Sequence, residues 1–542
     1  MSTVLDSRPA RADMSSLRRF LSVPRVIVAL GVVLALLLAL PGQTVTTKYV
    51  NDLFIFLDGA YRIVEGQVPN RDFHSSLGPL AFYLPAIGYG LTGSLGAAMP
   101  VGLALVVVLL SVIGAHLIGT RMPAAIGLPL AGFLLVAATA PLNPGEGIAD
   151  LSFAMFYNRI GWAALGLLFV LYLPPVRPHR WQTWLDAASA TALTLLLVYM
   201  KASYGLVALG FLLFMLTDRQ QRLAMALALA TCGVSAVLVE LIWRGSLTYI
   251  ADLQLAADVS GDLPDLQRLV TIVLQNLADI AVYLIFAAAL LISRRRFRDW
   301  LFANFCLGAG ILIIEQNFQT VGILTLAAGA AVMAVRLSEK PRTGAVARGL
   351  PLLLAILMLP VAVQYSLTLL LHTGLAITRQ AEPMPMPGFE AVHLARLSND
   401  GLFQNFSRYN RSLADGAAAL AQMEPEPERV VVFDFVGPFT AGLGLPPARG
   451  DYPWYHWGRT LDDTVYPPAE EILADAQVIM EPKAPIEFWT AAGMRRIYAP
   501  YLDANFRLVR ETADWRIYAR RPGSSGSLAN TSVTRQRTSA QP

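Results

Sequence analysis

Charge is what this sequence has least of. Asp, Glu, Lys and Arg make up only 15% of its 542 residues, whereas hydrophobic residues make up 55% and mean hydropathy is +0.51. Soluble proteins carry charge on roughly a quarter of their residues, so a water-soluble globule is excluded. Cysteine is nearly absent. Cys232 and Cys306 both fall inside apolar windows and read as small core residues, which leaves no disulfide framework and no thiolate metal site. The six histidines are scattered, with no pair at ligand spacing, so no metal centre is signalled. Long basic runs of the kind that hold nucleic acid are missing too. Net charge is +4, but the arginines sit in short clusters at the ends of apolar windows, where they encode membrane topology.

What is present is a series of apolar windows of membrane-crossing length, about 17–25 residues. The first, near Val26 to Leu40, follows Arg8, Arg11, Arg18, Arg19 and Arg25. Pro41-Gly42-Gln43 is no small-x-small cleavage site, so residues 1–25 read as a cytoplasmic segment ahead of an uncleaved signal anchor. Further windows fall at about 158–174, 183–200, 203–217, 222–242, 271–293, 299–313, 320–336 and 348–372. Basic loops at Arg177–Arg180, Arg219–Arg222, Arg294–Arg298 and Arg336–Arg348 belong inside, which places Asn143–Asn158, Trp243–Gln267, Glu315–Gln319 and everything beyond about His372 outside. That alternation requires an even number of crossings between Asp72 and Asn143, although windows occur at 79–92, 98–118 and 123–141. The first of these, broken by Pro79, Pro85 and Gly88, is expected to insert only partly, giving about eleven crossings.

From about Gln380 the composition turns soluble. Strands are expected at Val430–Val436, Ala476–Met480 and as a pair within Phe506–Arg520, so residues 373–521 read as a small α/β domain on the outer face. Residues 522–542 have too few apolar side chains to fold. The absence of an internal repeat argues against symmetric alternating access.

The stretch richest in chemistry is 52–80, DLFIFLDGAYRIVEGQVPNRDFHSSLGPL, in the outer loop 42–78. It gathers Asp52, Asp58, Arg62, Glu65, Arg71, Asp72 and His74, with apolar residues at helical spacing between the charges. Two readings stand: a helix lying in the membrane interface with carboxylates beside the headgroups, or a solvated amphipathic connector. Arginine forks suit phosphate, which makes Arg62, Arg71 and Arg159 candidates for holding one. Lys201, at the outer end of a span, either snorkels or meets an anion. Tyr157-Asn158-Arg159 opens another span from the outer side, and Arg159 either binds a ligand or ties its own loop. Glu315-Gln316-Asn317-Phe318-Gln319 is polar beyond the needs of a turn and is expected to line a cavity, with Glu315, Gln316, Asn317 and Gln319 as its contacts. The aromatic run Asp451–Trp457 suits sugar stacking, an interfacial belt or a domain core.

An acidic residue after the first span, then A-Y-R-x-x-x-G-x-x-P-x-R-D-F and a G-P-L leading into the next window, resembles the GT-C superfamily of polyprenyl-phosphate-sugar-dependent membrane glycosyltransferases. The resemblance covers the loop well and the plan of many spans plus an outer C-terminal domain loosely. It implies a polytopic α-helical membrane protein of the bacterial inner membrane, with a GT-C-like domain at 26–372 and a periplasmic α/β domain at 373–521. Sugar would pass from a polyprenyl phosphate to a lipid or glycan acceptor at the periplasmic face. It also implies that Asp52 is the general base, with Asp72 next and Asp58 third. The family often shows Asp-Glu where this chain has Asp52-Leu53, so a directly following second carboxylate is missing. By the same resemblance Lys201 meets the lipid phosphate, while His74, Tyr157 and Asn158 join the substrate contacts. No cofactor is expected, although some members of the superfamily use a divalent metal. Rival readings are a transporter or flippase of lipid-linked precursors, which needs no base, and a non-catalytic envelope assembly protein.

Overall fold

The computed structural model describes residues 22–176, 178–260, 266–317, 319–339, 345–397 and 400–523. The expected cytoplasmic segment up to Leu21, Phe318 and the tail from Ser524 lie outside the described residues. The chain is a multi-pass helical membrane protein. In chain order, single-turn helices set aside, it runs α1 Val23–Ala39, α2 Val50–Val64, α3 Leu80–Thr92, α4 Leu95–Arg121, α5 Ala124–Thr139, α6 Phe156–Phe169 and α7 Gln182–Met200. There follow α8 Ala202–Met215, α9 Arg222–Trp243, α10 Ser246–Ser260, α11 Leu266–Gln275, α12 Leu277–Arg294, α13 Phe297–Glu315, α14 Thr325–Ser338 and α15 Ala345–Thr378. Among the described residues six of these (α4, α7, α9, α12, α13 and most of α15) are long and apolar enough to cross a membrane. Lipid is the solvent their surfaces require: on α9, Val234, Val237, Leu238, Leu241 and Ile242 are all more than half exposed, an apolar patch that water does not tolerate.

The window at 79–92 forms α3, whose 13 residues span about 20 Å, well short of the roughly 30 Å hydrocarbon core. It packs against α2 and α4. The window at 271–293 is broken at Asn276, whose amide donates to the carbonyls of Ile272 (2.8 Å) and Thr320 (2.7 Å) and whose oxygen accepts from the N–H of Gly322 (2.8 Å). An amide that bonds the backbone competes with the helical ladder, so the break splits α11 from α12.

The loop after α1 is tied to the C-terminal domain, called the outer domain after the side that the loop charges predict for it, by a small sheet: β1 Thr44–Thr46 runs parallel to β3 Val392–Leu394, which pairs with β2 Glu382–Pro383. Three residues are too short a strand for any sequence pattern to reveal. The outer domain itself has a four-stranded sheet built from β4 Val430–Val432, β5 Val478–Pro482, β6 Phe506–Glu511 and β7 Trp515–Arg520, in the order β4-β5-β7-β6. The expected strand to Val436 stops at Val432, because Asp434 turns the chain: its carboxylate accepts the N–H groups of Phe435 (2.7 Å), Ile486 (2.8 Å) and Glu487 (3.1 Å). Helices α16 Asp400–Leu420 and α17 Phe488–Asn505 flank this sheet.

Candidate active site

The first turn of α2, the start of α6 and the outer domain enclose a cavity of about 510 Å³. Asp52 and Asn51 line it from α2, Met155 and Tyr157 from the start of α6, and Phe435, Trp454, His456 and Arg459 from the outer domain. Both transmembrane-side helices open on a non-glycine residue in the left-handed region, Tyr49 (φ 55°) and Met155 (φ 50°). Such backbone strain costs of the order of 1 kcal/mol and is held only where the surroundings over-determine it. Here it aims the first turns of α2 and α6 at one space.

Asp52 accepts a hydrogen bond from the Asn51 amide (3.3 Å). Burial, with the Glu146 charge second, pushes its carboxyl up to about 7. Glu146 lies on the loop between α5 and α6, where Lys48 holds one of its oxygens at 2.9 Å and the other has no partner. A second carboxylate thus acts on Asp52 from the loop between α5 and α6.

Cations gather around Tyr157 and Asn317. The Lys201 ammonium sits 5.6 Å from the Tyr157 ring centre and donates to the Asn317 side-chain oxygen (2.5 Å) and the Gln316 carbonyl (3.4 Å). The Arg268 guanidinium bonds the Asn317 carbonyl. Arg459 enters from the turn after the aromatic run, and its guanidinium is held below the ordinary arginine range by burial and then by the charge of Arg268, with Tyr157 opposing. Lys201 and Arg459 therefore approach Tyr157, which lines the cavity with Asp52, and Arg268 joins Lys201 at Asn317.

The other candidates are placed elsewhere. Arg62 is 2% exposed and fully engaged: Nε donates to Asp58 (2.6 Å), Nη2 to Asp451 (2.8 Å) and Nη1 to the Ala448 carbonyl (2.8 Å). A buried guanidinium already paired with two carboxylates is not offered to a phosphate, and neither Arg62 nor Asp58 lines the cavity. Together they latch α2 to the outer domain. Asp72 caps its own turn by accepting the Val68 N–H (2.9 Å), with Arg71 at 3.4 Å and Arg449 at 3.7 Å; it does not line the cavity, and neither does the exposed Arg71. His74 stacks on Tyr452 and bonds Asp252 of α10 (3.1 Å), which also accepts from the Asn70 amide and the Ser75 N–H. These residues fold the loop.

Arg159 is completely buried and donates to the Asn143 side chain (3.2 Å) and the Ala154 carbonyl (3.3 Å), so it ties the loop that carries Glu146, while its Nε and Nη2 have no partner. The Asn158 oxygen accepts from the Tyr204 hydroxyl (3.4 Å). Of the polar turn, Asn317 reaches the cations, whereas the Glu315 and Gln316 side chains bond each other (2.9 Å) and Gln319 is partly buried away from the cavity. Among the described residues no group of three or more His, Cys, Asp or Glu side chains is arranged to hold a metal ion.

Sequence reasoning did not single out Arg268 or Arg459, and it offered Glu146 only as one polar residue of the loop before Tyr157, with no link to Asp52. Arg459 lies two residues beyond the aromatic run that did stand out, and Arg268 lies in the first turn of α11, between the loop expected to end at Gln267 and the window expected from 271; neither carries a local signal.

No family model and no curated protein matches the chain. Among solved structures it is similar to ArnT from Cupriavidus metallidurans bound to undecaprenyl phosphate, with 13% identity over 95% of this chain and all of that one and a TM-score of 0.48. The same protein in its apo state matches with 14% identity, the same coverage and a TM-score of 0.46. An Archaeoglobus fulgidus oligosaccharyltransferase complex with Zn and sulfate matches with 12% identity over 84% of this chain and 67% of that one, with a TM-score of 0.36.

Proposed function

We propose that the protein is an inverting glycosyltransferase of the GT-C type, which moves a sugar from a polyprenyl phosphate to an acceptor hydroxyl at the outer, periplasmic face of a bacterial inner membrane. One observation supports this reading: a buried carboxylate, Asp52, and the Arg459 guanidinium line one cavity with Tyr157, and Lys201 and Arg268 are joined to it through Tyr157 and Asn317.

The chemistry needs that pairing. The acceptor oxygen attacks the anomeric carbon from the face opposite the phosphate, the bond from that carbon to the phosphate oxygen breaks, and the acceptor proton passes to Asp52. A carboxylate held at about 7 takes that proton near neutral pH better than an ordinary aspartate does. Negative charge develops on the departing phosphate, and fixed cations in a site of low dielectric stabilise it without reorganising. Lys201, Arg268 and Arg459 fill that role. Tyr157, between the two groups, sets the separation of base from leaving group.

The test is turnover of a polyprenyl-phosphate sugar by purified protein in lipid nanodiscs. Asp52→Asn is expected to insert normally and to lose at least about 100-fold in kcat, the contribution of a general base. Undiminished turnover would exclude Asp52 as base, and movement of the intact lipid across the bilayer without turnover would favour the flippase reading.

A further inference from the structure

Two parts of the chain line the cavity. α2 and the start of α6 contribute Asp52 and Tyr157, and Tyr157 interacts with Arg459. The outer domain contributes Arg408 on α16, Glu487 ahead of α17 and Asp514 in the turn between β6 and β7. Two carboxylates and one guanidinium make that wall net acidic, and none of the three forms an ion pair with another side chain among the described residues. Those two carboxylates repel a phosphate group.

The same domain contributes an aromatic cluster. Phe435, Trp454 and His456 meet edge to face, with ring centres 5.3 to 6.0 Å apart, and all three line the cavity. His456 is held down at about 4 by burial and then by the Arg459 charge, so it is a neutral ring at physiological pH. The Trp454 indole N–H is buried without a hydrogen-bond partner. The Asp434 carboxylate fixes this geometry, because it clamps Phe435 and the backbone of Ile486 and Glu487 together. Aromatic faces that stack on C–H surfaces, an unspent N–H donor and carboxylates that accept from hydroxyls form the chemistry that recognises a neutral sugar ring.

We infer that the outer-domain wall of the cavity, formed by Phe435, Trp454 and His456 with Glu487 and Asp514, is the acceptor subsite and takes an uncharged carbohydrate ring in preference to a phosphorylated lipid headgroup. The inference rests on the glycosyl-transfer reading and narrows its acceptor to glycan. Rigid rings pre-set by Asp434 limit the entropy lost on binding, while the acidic wall rejects a second phosphate.

Binding is tested apart from turnover, by saturation-transfer NMR of the full chain in nanodiscs with a panel of neutral methyl glycosides and the matching sugar phosphates. At least one neutral glycoside is expected to bind, at least tenfold tighter than its phosphate. Trp454→Ala and Glu487→Gln are each expected to weaken binding about tenfold, and Trp454→Phe to retain most of it. Asp52→Asn is expected to bind the glycoside as the parent does while failing in turnover, which separates the subsite from the catalytic proposal. No binding by any neutral member, tighter binding of the phosphates, or binding indifferent to both Trp454→Ala and Glu487→Gln overturns the subsite, whatever the outcome of the turnover assay.

Discussion

Replacing Glu146 by Gln should move the pH dependence of turnover. The Asp52 carboxyl stands at about 7 instead of 3.8, raised first by burial and second by the charge of Glu146. That is a rise of about 3 pH units. Because burial is the larger cause, Glu146 accounts for less than half, or at most about 1.5 units, equivalent to about 2 kcal/mol. A like charge disfavours the ionised base, so its removal lets Asp52 ionise at lower pH. A base must be ionised to act, and the acid limb of kcat/KM reports its pKa in the free enzyme. In Glu146→Gln that limb is therefore expected to shift from about 7 downward by about 0.5 to 1.5 pH units, with the plateau changed less than tenfold. Glu146→Asp keeps the charge and should leave the limb near its starting position. Lys48→Met removes the cation 2.9 Å from Glu146, exposes Asp52 to more of that charge and should move the limb upward. The assay is initial-rate turnover of lipid-linked sugar in nanodiscs between pH 5 and 9. A limb that stays in place in Glu146→Gln, or that moves upward, refutes the coupling of these two carboxylates.

Lys201→Met and Arg459→Gln each remove a charged donor beside the leaving group, for which about 1.5–3 kcal/mol is typical; kcat/KM should fall by about 10- to 150-fold, measured against lipid-linked sugar concentration. Arg62→Leu leaves Asp58 and Asp451 buried without their cation, which should cost about 3–5 kcal/mol of stability, visible as a lowered thermal unfolding midpoint in detergent. Asp72→Ala, by contrast, should keep turnover within a fewfold of the parent, because that carboxylate only closes a turn. Gly78→Ala would place a methyl carbon 2.2 Å from the Tyr199 carbonyl oxygen; the loop must lift off the end of α7 beside Lys201, lowering both the unfolding midpoint and donor affinity in a binding titration.

The loop pattern that resembles a glycosyltransferase family proved to be mostly a folding signal. Arg62 is locked in ion pairs, Gly66 ends α2 with φ 88°, Asp72 closes a turn, Phe73 is buried against Phe82, and Gly78 permits contact with Tyr199. The conspicuous charges were legible because burying them needs partners and therefore a spaced pattern of residues. Asp52 was legible only by its place after the first span.

Sequence alone determined that the chain lives in lipid, since too few charges and too many apolar windows leave no other solvent, and it set the break in composition where the outer domain begins. It also marked Asp52, Tyr157, Lys201 and Asn317 individually, because polar groups at membrane ends are costly and therefore stand out. Only the tertiary structure decided which of them work together. Asp52 and Glu146 are 94 residues apart and Lys201 and Arg459 are 258 apart, and no periodicity within a helix or strand encodes a meeting between segments so distant. That meeting is set by the packing of α2, α6 and α7 against the outer domain, which brings Asp52, Arg459 and the aromatic cluster to one cavity, with Lys201 beside Tyr157.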